Sequence, residues 1–215
     1  MTRLFVFDLD GTLVDSLRDL ADSANELIVS CGGAALEPDA VARMVGEGAA
    51  MLVSRAFVAA RVEQPPDALS RFLAIYDTRL LNHTRSYEGT ADTLKMLSSG
   101  ASLAVLTNKP FTATRRILEG LELSPFFNAD AVIGGDGPLP RKPDPSGLRS
   151  LCERVGVAPA DTVLVGDSLI DWQTARNAGT AICLARYGFG FREFPRERLN
   201  GRERLIDRPT DLMQM

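Results

Sequence analysis

The sequence predicts an α/β protein with a doubly wound, Rossmann-like parallel sheet at its core. Five short apolar runs without polar alternation are spread along the chain and separated by stretches of helical periodicity, at residues 4–7, 103–106, 131–133, 163–165 and 181–184. Such runs are typical of strands that helices cover on both faces. In these sheets ligands bind beyond the carboxyl ends of the strands, so we expect the functional residues there.

The first run leads directly into two carboxylates. Asp8 and Asp10 can converge on one site, and Gly11 permits the sharp turn that leads the chain away. Asp167 and Asp171 follow the fourth run. Gathered at one point, each pair of carboxylates ~4 Å apart would repel by about 4 kcal/mol at an effective dielectric of about 20, so the cluster needs a cation. Oxygen ligands with room for water favour Mg²⁺ over zinc.

The pattern changes between residues 16 and 86, where no comparable strand run occurs. Apolar residues recur there at helical intervals, beginning with Leu17, Leu20, Ala21, Ala24, Leu27 and Ile28. The segment is divided into several short helices by Pro38, Gly46, Gly48, Pro65 and Pro66. We therefore expect an all-helical insertion at 16–86 after the first strand, within a core domain formed by 1–15 and 87–215.

After the insertion, Thr90 is a candidate N-cap for a helix that Gly100 closes before the second strand. Thr107 ends that strand, and Pro110 is expected at the first position of the next helix. The Thr107 hydroxyl and the nearby amides can hold a phosphate oxygen. Lys142 lies in a loop flanked by prolines, where a fixed cation offsets charge on a transferring phosphoryl group.

The composition, with 45% hydrophobic and 24% charged residues, indicates a folded globular protein. The net charge of −4 counts against nucleic-acid binding. No apolar run approaches the roughly 18 residues of a membrane helix, and the first run is too short for a signal peptide. We expect a cytoplasmic enzyme with no membrane partner. The Arg-rich stretch 192–208 is interpreted as a solvated surface, and Cys31, Cys152 and Cys183 as reduced packing residues.

The four polar segments, in this order and separation, resemble the four motifs of the haloacid dehalogenase superfamily over nearly the whole chain. The resemblance implies that Asp8 is the nucleophile and Asp10 the general acid and base. It implies that Thr107 and Lys142 bind the phosphoryl group and that Asn108 also contacts the substrate. The helical insertion is similar to the superfamily's cap, which closes over the site.

The same resemblance implies the metal ligands. Asp8, the main-chain carbonyl of Asp10 and Asp167 are expected to ligate Mg²⁺. Asp171 supports the metal, directly or through water. The implied reaction is a Mg²⁺-dependent hydrolysis of a phosphate ester through an aspartyl-phosphate on Asp8, and the acid at position 10 favours phosphoryl transfer over dehalogenation.

Smaller segments resemble bacterial phosphoglycolate phosphatases in particular, at residues 45–49, 106–110, 133–136 and 187–190. Only the cap segment bears on the substrate, and it implies that Gly46 and Gly48 contact a small phosphorylated metabolite, 2-phosphoglycolate. Glu47 is a departure, because its charge would face a doubly acidic substrate. Backbone amides at the two glycines, or Arg55, can still receive a carboxylate.

Rival interpretations remain open from the sequence. A phosphosugar mutase of the β-phosphoglucomutase kind, or a phosphatase for another small phosphate or pyrophosphate, would use the same four motifs. A non-catalytic binding protein would not need Asp8 and Asp10 beside Asp167. His83 and Trp172 are expected to lie outside the chemistry. The sequence is compatible with a monomer or a homodimer.

Overall fold

The computed structural model describes residues 3–215 and contains one six-stranded parallel sheet and one two-stranded ribbon. The strands are β1 (Arg3–Phe7), β2 (Val14–Asp15), β3 (Arg85–Ser86), β4 (Ala101–Leu106), β5 (Val132–Ile133), β6 (Thr162–Gly166), β7 (Ala181–Ala185) and β8 (Arg204–Ile206). The sheet order is β5-β4-β1-β6-β7-β8, and every neighbouring pair is parallel. This is the predicted doubly wound α/β fold.

Residues 3–215 contain eight α-helices, of which the first four lie between β2 and β3. They are α1 (Leu17–Ser30), α2 (Pro38–Ala42), α3 (Ala49–Ala60), α4 (Ala68–Asp77), α5 (Thr90–Leu97), α6 (Phe111–Gly120), α7 (Ser146–Val155) and α8 (Leu169–Ala178). Short 3₁₀ helices lie at Ser124–Phe126, Ala129–Ala131, Pro159–Asp161, Phe189–Glu193, Arg196–Arg198 and Pro209–Gln214. Within residues 3–215 none of the helices combines the length and apolarity that crossing a bilayer requires.

The alternation of side chains along β1 explains why the sheet is covered on both faces. Leu4 and Val6 pack into one apolar cluster, which includes Leu148 of α7. Phe5 and Phe7 point to the other face and belong to a second cluster, which extends into the helical segment 16–86. The apolar runs in the sequence therefore correspond to strands that are buried on both faces.

The segment between β2 and β3 contains α1 to α4, and α2, α3 and α4 begin at or soon after the predicted Pro and Gly breaks. The two short strands pair antiparallel, Val14 with Ser86 and Asp15 with Arg85, so the chain leaves and re-enters the core at one place. Asp19 reinforces this junction. Its buried carboxylate accepts hydrogen bonds from the backbone of His83 and from both the backbone and the hydroxyl of Thr84, at 2.8–3.0 Å.

Three local expectations were wrong. The stretch 192–208 is not only solvated surface, since it contributes β8, an edge strand in which Ile206 alone is buried and which therefore shows no apolar run. Thr90 is the first residue of α5 rather than its N-cap, because Gly89 adopts φ +80° before it. Pro110 precedes α6 with an extended ψ of 140°, and Asp136 Oδ1 accepts the hydrogen bond of the Phe111 amide at 2.7 Å.

Trp172 and the three cysteines, which we expected to lie outside the chemistry, are buried or partly buried side chains. Trp172 is buried in α8, and its indole nitrogen donates to Glu203 at 2.9 Å. The cysteines are free; Cys152 and Cys183 are buried, and Cys31 is partly exposed.

Candidate active site

Three carboxylates converge at the carboxyl ends of β1 and β6. Asp8 follows β1, Asp167 follows β6, and Asp171 lies in the first turn of α8. All three are buried, and each offers a carboxylate oxygen within 4.8 Å of the others. The strands hold Asp8 in register with β6, since its amide donates to the Val165 carbonyl at 2.9 Å.

Lys142 places an ammonium group inside this cluster. Its Nζ lies 2.9 Å from Asp8 Oδ1 and 2.6 Å from Asp171 Oδ1. Asn108 fixes the backbone of Lys142 from the end of β4, because its side chain accepts from the Lys142 amide and donates to the Lys142 carbonyl, both at 2.9 Å. The same Asn108 amide group donates to the Gly46 carbonyl at 2.8 Å. The Asn108 side chain therefore links the Lys142 loop to the helical segment 16–86.

The electrostatics of the cluster indicate a deficit of positive charge. Burial raises the pKa of Asp8 to about 6; the Lys142 ammonium opposes this shift, and the Asp171 carboxylate adds to it. Burial, together with Asp171 and Asp8, raises the pKa of Asp167 well above its ordinary value. Burial disfavours the charged form of Lys142, but Asp171 and Asp8 outweigh burial and raise its pKa. Three carboxylates that face one ammonium group offer an oxygen donor set that fits a hard divalent cation such as Mg²⁺.

Glycines make room for the Asp167 carboxylate. Gly11 has φ +83°, and a Cβ on it would lie 2.0 Å from Asp167 Oδ2. A Cβ on Gly188 would lie 2.3 Å from the Asp167 Cβ. The Gly190 amide donates to Asp167 Oδ2 at 2.8 Å. Side chains at these positions would displace the carboxylate, which accounts for the glycines of the segment 187–190.

Asp10 is held by two side chains to which sequence reasoning assigned no role. Lys109 Nζ lies 3.0 Å from both carboxylate oxygens, and the Ser16 hydroxyl donates to Oδ1 at 2.5 Å. The Lys109 ammonium also lies over the ring of Tyr76, 4.6 Å from its centroid. Burial opposes the charge on Lys109, but the Asp10 carboxylate outweighs burial and raises the pKa of Lys109. Lys109 lies two residues after Thr107, and this closeness to the end of β4 was the one feature of the sequence that could have indicated its contact with Asp10.

A cavity of about 400 Å³ lies between the carboxylates and the helices of the 16–86 segment. Asp8, Asp10, Thr107 and Asp167 line its core side. The opposite wall is mostly apolar, with Leu20, Leu52, Phe72, Leu73 and Leu80, and it also includes Tyr76 and Asp77. Gly46 and Gly48 also reach the cavity. The Thr107 hydroxyl is buried and accepts from the Lys109 amide at 3.2 Å.

Ion pairs hold the helical segment against the core. Asp77 at the end of α4 pairs with Arg116 of α6. Asp39 of α2 pairs with Arg192 at 2.8 Å. Together with the hydrogen bond from Asn108 to Gly46, these contacts seat the helices over the cavity.

Glu47 does not face the cavity. Its carboxylate pairs with Arg55, and neither residue is among those lining the cavity within residues 3–215. The ion pair neutralises the negative charge of Glu47, the residue that differs from the expected cap sequence. It also occupies the guanidinium group that was a candidate receptor for a substrate carboxylate.

Residues 5–185 match the family described as haloacid dehalogenase-like hydrolase. The phosphoglycolate phosphatase of Rhodospirillum rubrum is 42% identical in an alignment covering 88% of this chain and 81% of that protein. The phosphoglycolate phosphatase of Nitrosospira multiformis is 37% identical, with coverages of 87% and 84%. The crystal structure of a predicted phosphoglycolate phosphatase from Haemophilus somnus superposes with a TM-score of 0.90 at 30% identity, covering 99% of this chain and 97% of that one.

Proposed function

The chain belongs to the haloacid dehalogenase-like hydrolase family, and we propose that it is a Mg²⁺-dependent phosphatase that hydrolyses a small phosphate monoester, 2-phosphoglycolate, through an aspartyl-phosphate on Asp8. One observation carries this proposal. The Asp8 carboxylate lies beside the Lys142 ammonium and within 4.8 Å of oxygens from Asp167 and Asp171, at the wall of a cavity that Asp10 also lines.

Splitting the hydrolysis into two displacements gives each side chain a task. The Asp8 carboxylate attacks phosphorus while the Asp10 carboxyl gives its proton to the departing ester oxygen. Asp10 then takes a proton from the water that attacks the aspartyl-phosphate. The Thr107 hydroxyl and the Lys142 ammonium hold the phosphoryl oxygens, where the ammonium stabilises the charge that develops.

The proposed metal ligands are Asp8, the main-chain carbonyl of Asp10 and Asp167. When bound, Mg²⁺ supplies positive charge that reduces repulsion between the nucleophile and the phosphoryl group. Asp171 has both oxygens engaged: Oδ1 with Lys142 at 2.6 Å, and Oδ2 with the Ser168 amide and hydroxyl at 3.0 and 2.6 Å. These contacts favour support of the metal through water rather than directly.

In this proposal residues 16–86 are the cap domain, and 1–15 with 87–215 are the core domain. The antiparallel pairing of β2 with β3 supports a boundary at these positions. A cap that closes on the substrate excludes water and completes the site. The contact from Asn108 to Gly46 supports this role, because it links a core loop of the site to the cap.

The substrate is inferred from two observations. Relatives that share 37–42% identity carry the name phosphoglycolate phosphatase. Gly48 precedes α3, and both Gly48 and Ala49 line the cavity, so the first turn of this helix opens onto it. The free amides and the positive end of a helix dipole receive an anion well. On the mostly apolar cap wall, these amides suit the carboxylate of 2-phosphoglycolate.

The test is a panel of small phosphate esters, assayed with Mg²⁺ for release of inorganic phosphate. We expect 2-phosphoglycolate to have the highest kcat/KM. A panel without phosphate release, or isomerisation that depends on a bisphosphate activator, would refute the phosphatase assignment. Hydrolysis with preference for another ester would refute the substrate alone.

A further inference from the structure

Lys109 connects a carboxylate of the core with an aromatic ring of the cap. Its Nζ is 3.0 Å from both oxygens of Asp10 and 4.6 Å from the ring centroid of Tyr76. Asp10 follows β1, whereas Tyr76 lies in α4. One ammonium group is therefore shared between the two sides of the cavity.

The position of this ammonium group depends on both neighbours. The Lys109 backbone is fixed, since its amide donates to Thr107 Oγ1 at 3.2 Å and its carbonyl accepts from the Gly135 amide at 2.8 Å. The side chain beyond it is flexible in itself, and its charged end is placed by Asp10 and by the ring. A cation over an aromatic face is attracted by the ring quadrupole, more strongly where water is excluded.

The ring of Tyr76 supplies the aromatic face over which the Lys109 ammonium lies. Tyr76 is 4% exposed, and its hydroxyl has no hydrogen-bond partner among residues 3–215. The second partner of Asp10, Ser16, directly precedes α1. Both groups that orient Asp10 are thus tied to the position of the helical segment.

We propose that Tyr76 is a positioning residue that makes the alignment of Asp10 depend on cap closure, acting through Lys109. With the cap seated, the ring confines the Lys109 ammonium against Asp10. When α4 moves away, the Lys109 ammonium loses its contact with the Tyr76 ring. It then no longer holds the Asp10 carboxyl group in line with the ester oxygen. The inference rests on the proposed role of Asp10 as general acid and base.

The dependence on leaving group provides a readout that a merely structural role would not change. In the first displacement the bond from Asp8 to phosphorus forms, the phosphorus–ester oxygen bond breaks, and the Asp10 proton moves to the departing oxygen. An alkyl alcohol needs this proton, whereas p-nitrophenolate leaves with little help. Misalignment of Asp10 therefore slows transfer from an alkyl phosphate more than transfer from p-nitrophenyl phosphate.

The experiment measures single-turnover phosphoryl transfer from both esters, with saturating Mg²⁺ and with enzyme in saturating excess over the ester. Tyr76→Leu should slow the alkyl ester by about 10- to 100-fold, a part of the 10²- to 10⁴-fold that a general acid contributes. The aryl ester should slow by no more than about threefold. Tyr76→Phe keeps the ring and should restore both rates. Phe57→Leu removes another buried cap ring, outside the cavity lining, and should affect both esters equally.

Lys109→Met tests the route of the effect. It should reproduce the selective loss, and adding Tyr76→Leu to it should cost little more, because both substitutions remove the same interaction. Full additivity, equal losses on the two esters in Tyr76→Leu, or a Tyr76→Phe variant as slow as Tyr76→Leu would overturn the inference. Asp10→Asn tests the proposed role of Asp10 separately from the role of Tyr76. If Asp10→Asn does not slow the alkyl ester more than the aryl ester, Asp10 is not the general acid.

Discussion

The ammonium nitrogen of Lys142 lies 2.9 Å from Oδ1 of Asp8, and both side chains are buried. Lys142 makes its other contact with Asp171, at 2.6 Å. The Lys142 ammonium therefore fixes the orientation of the buried Asp8 carboxylate. In the proposed reaction, the same cation would offset the negative charge of the phosphoryl group transferred to Asp8.

Replacing Asp8 by Asn should abolish turnover and leave the fold intact. The amide has nearly the same shape, but it neither attacks phosphorus well nor carries the charge that a metal ligand needs. Phosphate release and circular dichroism measure the two effects. Asp92→Asn, on the exposed surface of α5, is the control and should keep its activity. Residual Asp8→Asn activity within about tenfold of wild type would refute the nucleophile assignment, since losing a nucleophile costs far more.

Activity should require Mg²⁺, and Asp167→Ala should raise the Mg²⁺ concentration needed for half-maximal activity. The substitution removes a hard oxygen ligand, so added metal should recover part of the rate. Ca²⁺ should inhibit, because it accepts more ligands at longer distances and can hold both oxygens of Asp8. Metal titrations of wild type and variant test this. Full activity in excess chelator would contradict it.

The metal-free protein should lose stability as the pH rises from about 4 through 6. The pKa of Asp8 is 3.8 when unperturbed and about 6 in the folded protein, so the folded state holds more protons in this range. Stability falls with rising pH wherever the folded state binds more protons. Asp167 acts in the same direction, since its pKa is also raised.

Thermal unfolding in chelator at pH 5 and pH 7 measures this effect. The melting temperature should be lower at pH 7, and Mg²⁺ should reduce the difference because it binds the ionised carboxylates. Asp8→Asn removes one titrating group and should show a weaker pH dependence. An identical dependence in wild type and Asp8→Asn would show that Asp8 does not contribute.

The sequence predicted that Asp8, Thr107 and Asp167 gather at one edge of the sheet because strand ends are encoded locally. Asp8, Thr107 and Asp167 each follow an apolar run, and the carboxyl ends of parallel strands share one edge of the sheet. The strand β8 was missed for the same reason. Only Ile206 is buried among its three residues, so no apolar run marks it.

Contacts between distant elements left no local pattern. Tyr76 lies in α4 and Lys109 follows β4, and neither residue belongs to a periodicity that would indicate their contact. The pairing of Glu47 with Arg55 likewise depends on how the loop before α3 folds back onto the helix. Neither contact could therefore be predicted from the sequence.

The last prediction concerns Gly48, at the start of α3. Its φ of +91° disfavours any residue with a side chain, and a Cβ there would lie 3.3 Å from the Asn108 carbonyl and 3.2 Å from an Arg141 nitrogen. Gly48→Val should therefore shift the first turn of α3 away from the core. If the amides of this turn receive the carboxylate of 2-phosphoglycolate, kcat/KM for that ester should fall by at least about tenfold, or about 1.4 kcal/mol of transition-state binding.

An aryl phosphate lacks the carboxylate and should lose much less, while the dependence on Mg²⁺ stays unchanged. Gly32→Val is the matched control, because Gly32 also lies in the helical segment with φ +85° but has no atoms near its Cβ position. It imposes similar backbone strain without touching the core, so both esters should be affected equally and weakly. Parallel kinetics on the two esters decide the question: an equal loss in Gly48→Val would remove α3 as the selectivity element and leave the phosphatase chemistry of Asp8 untouched.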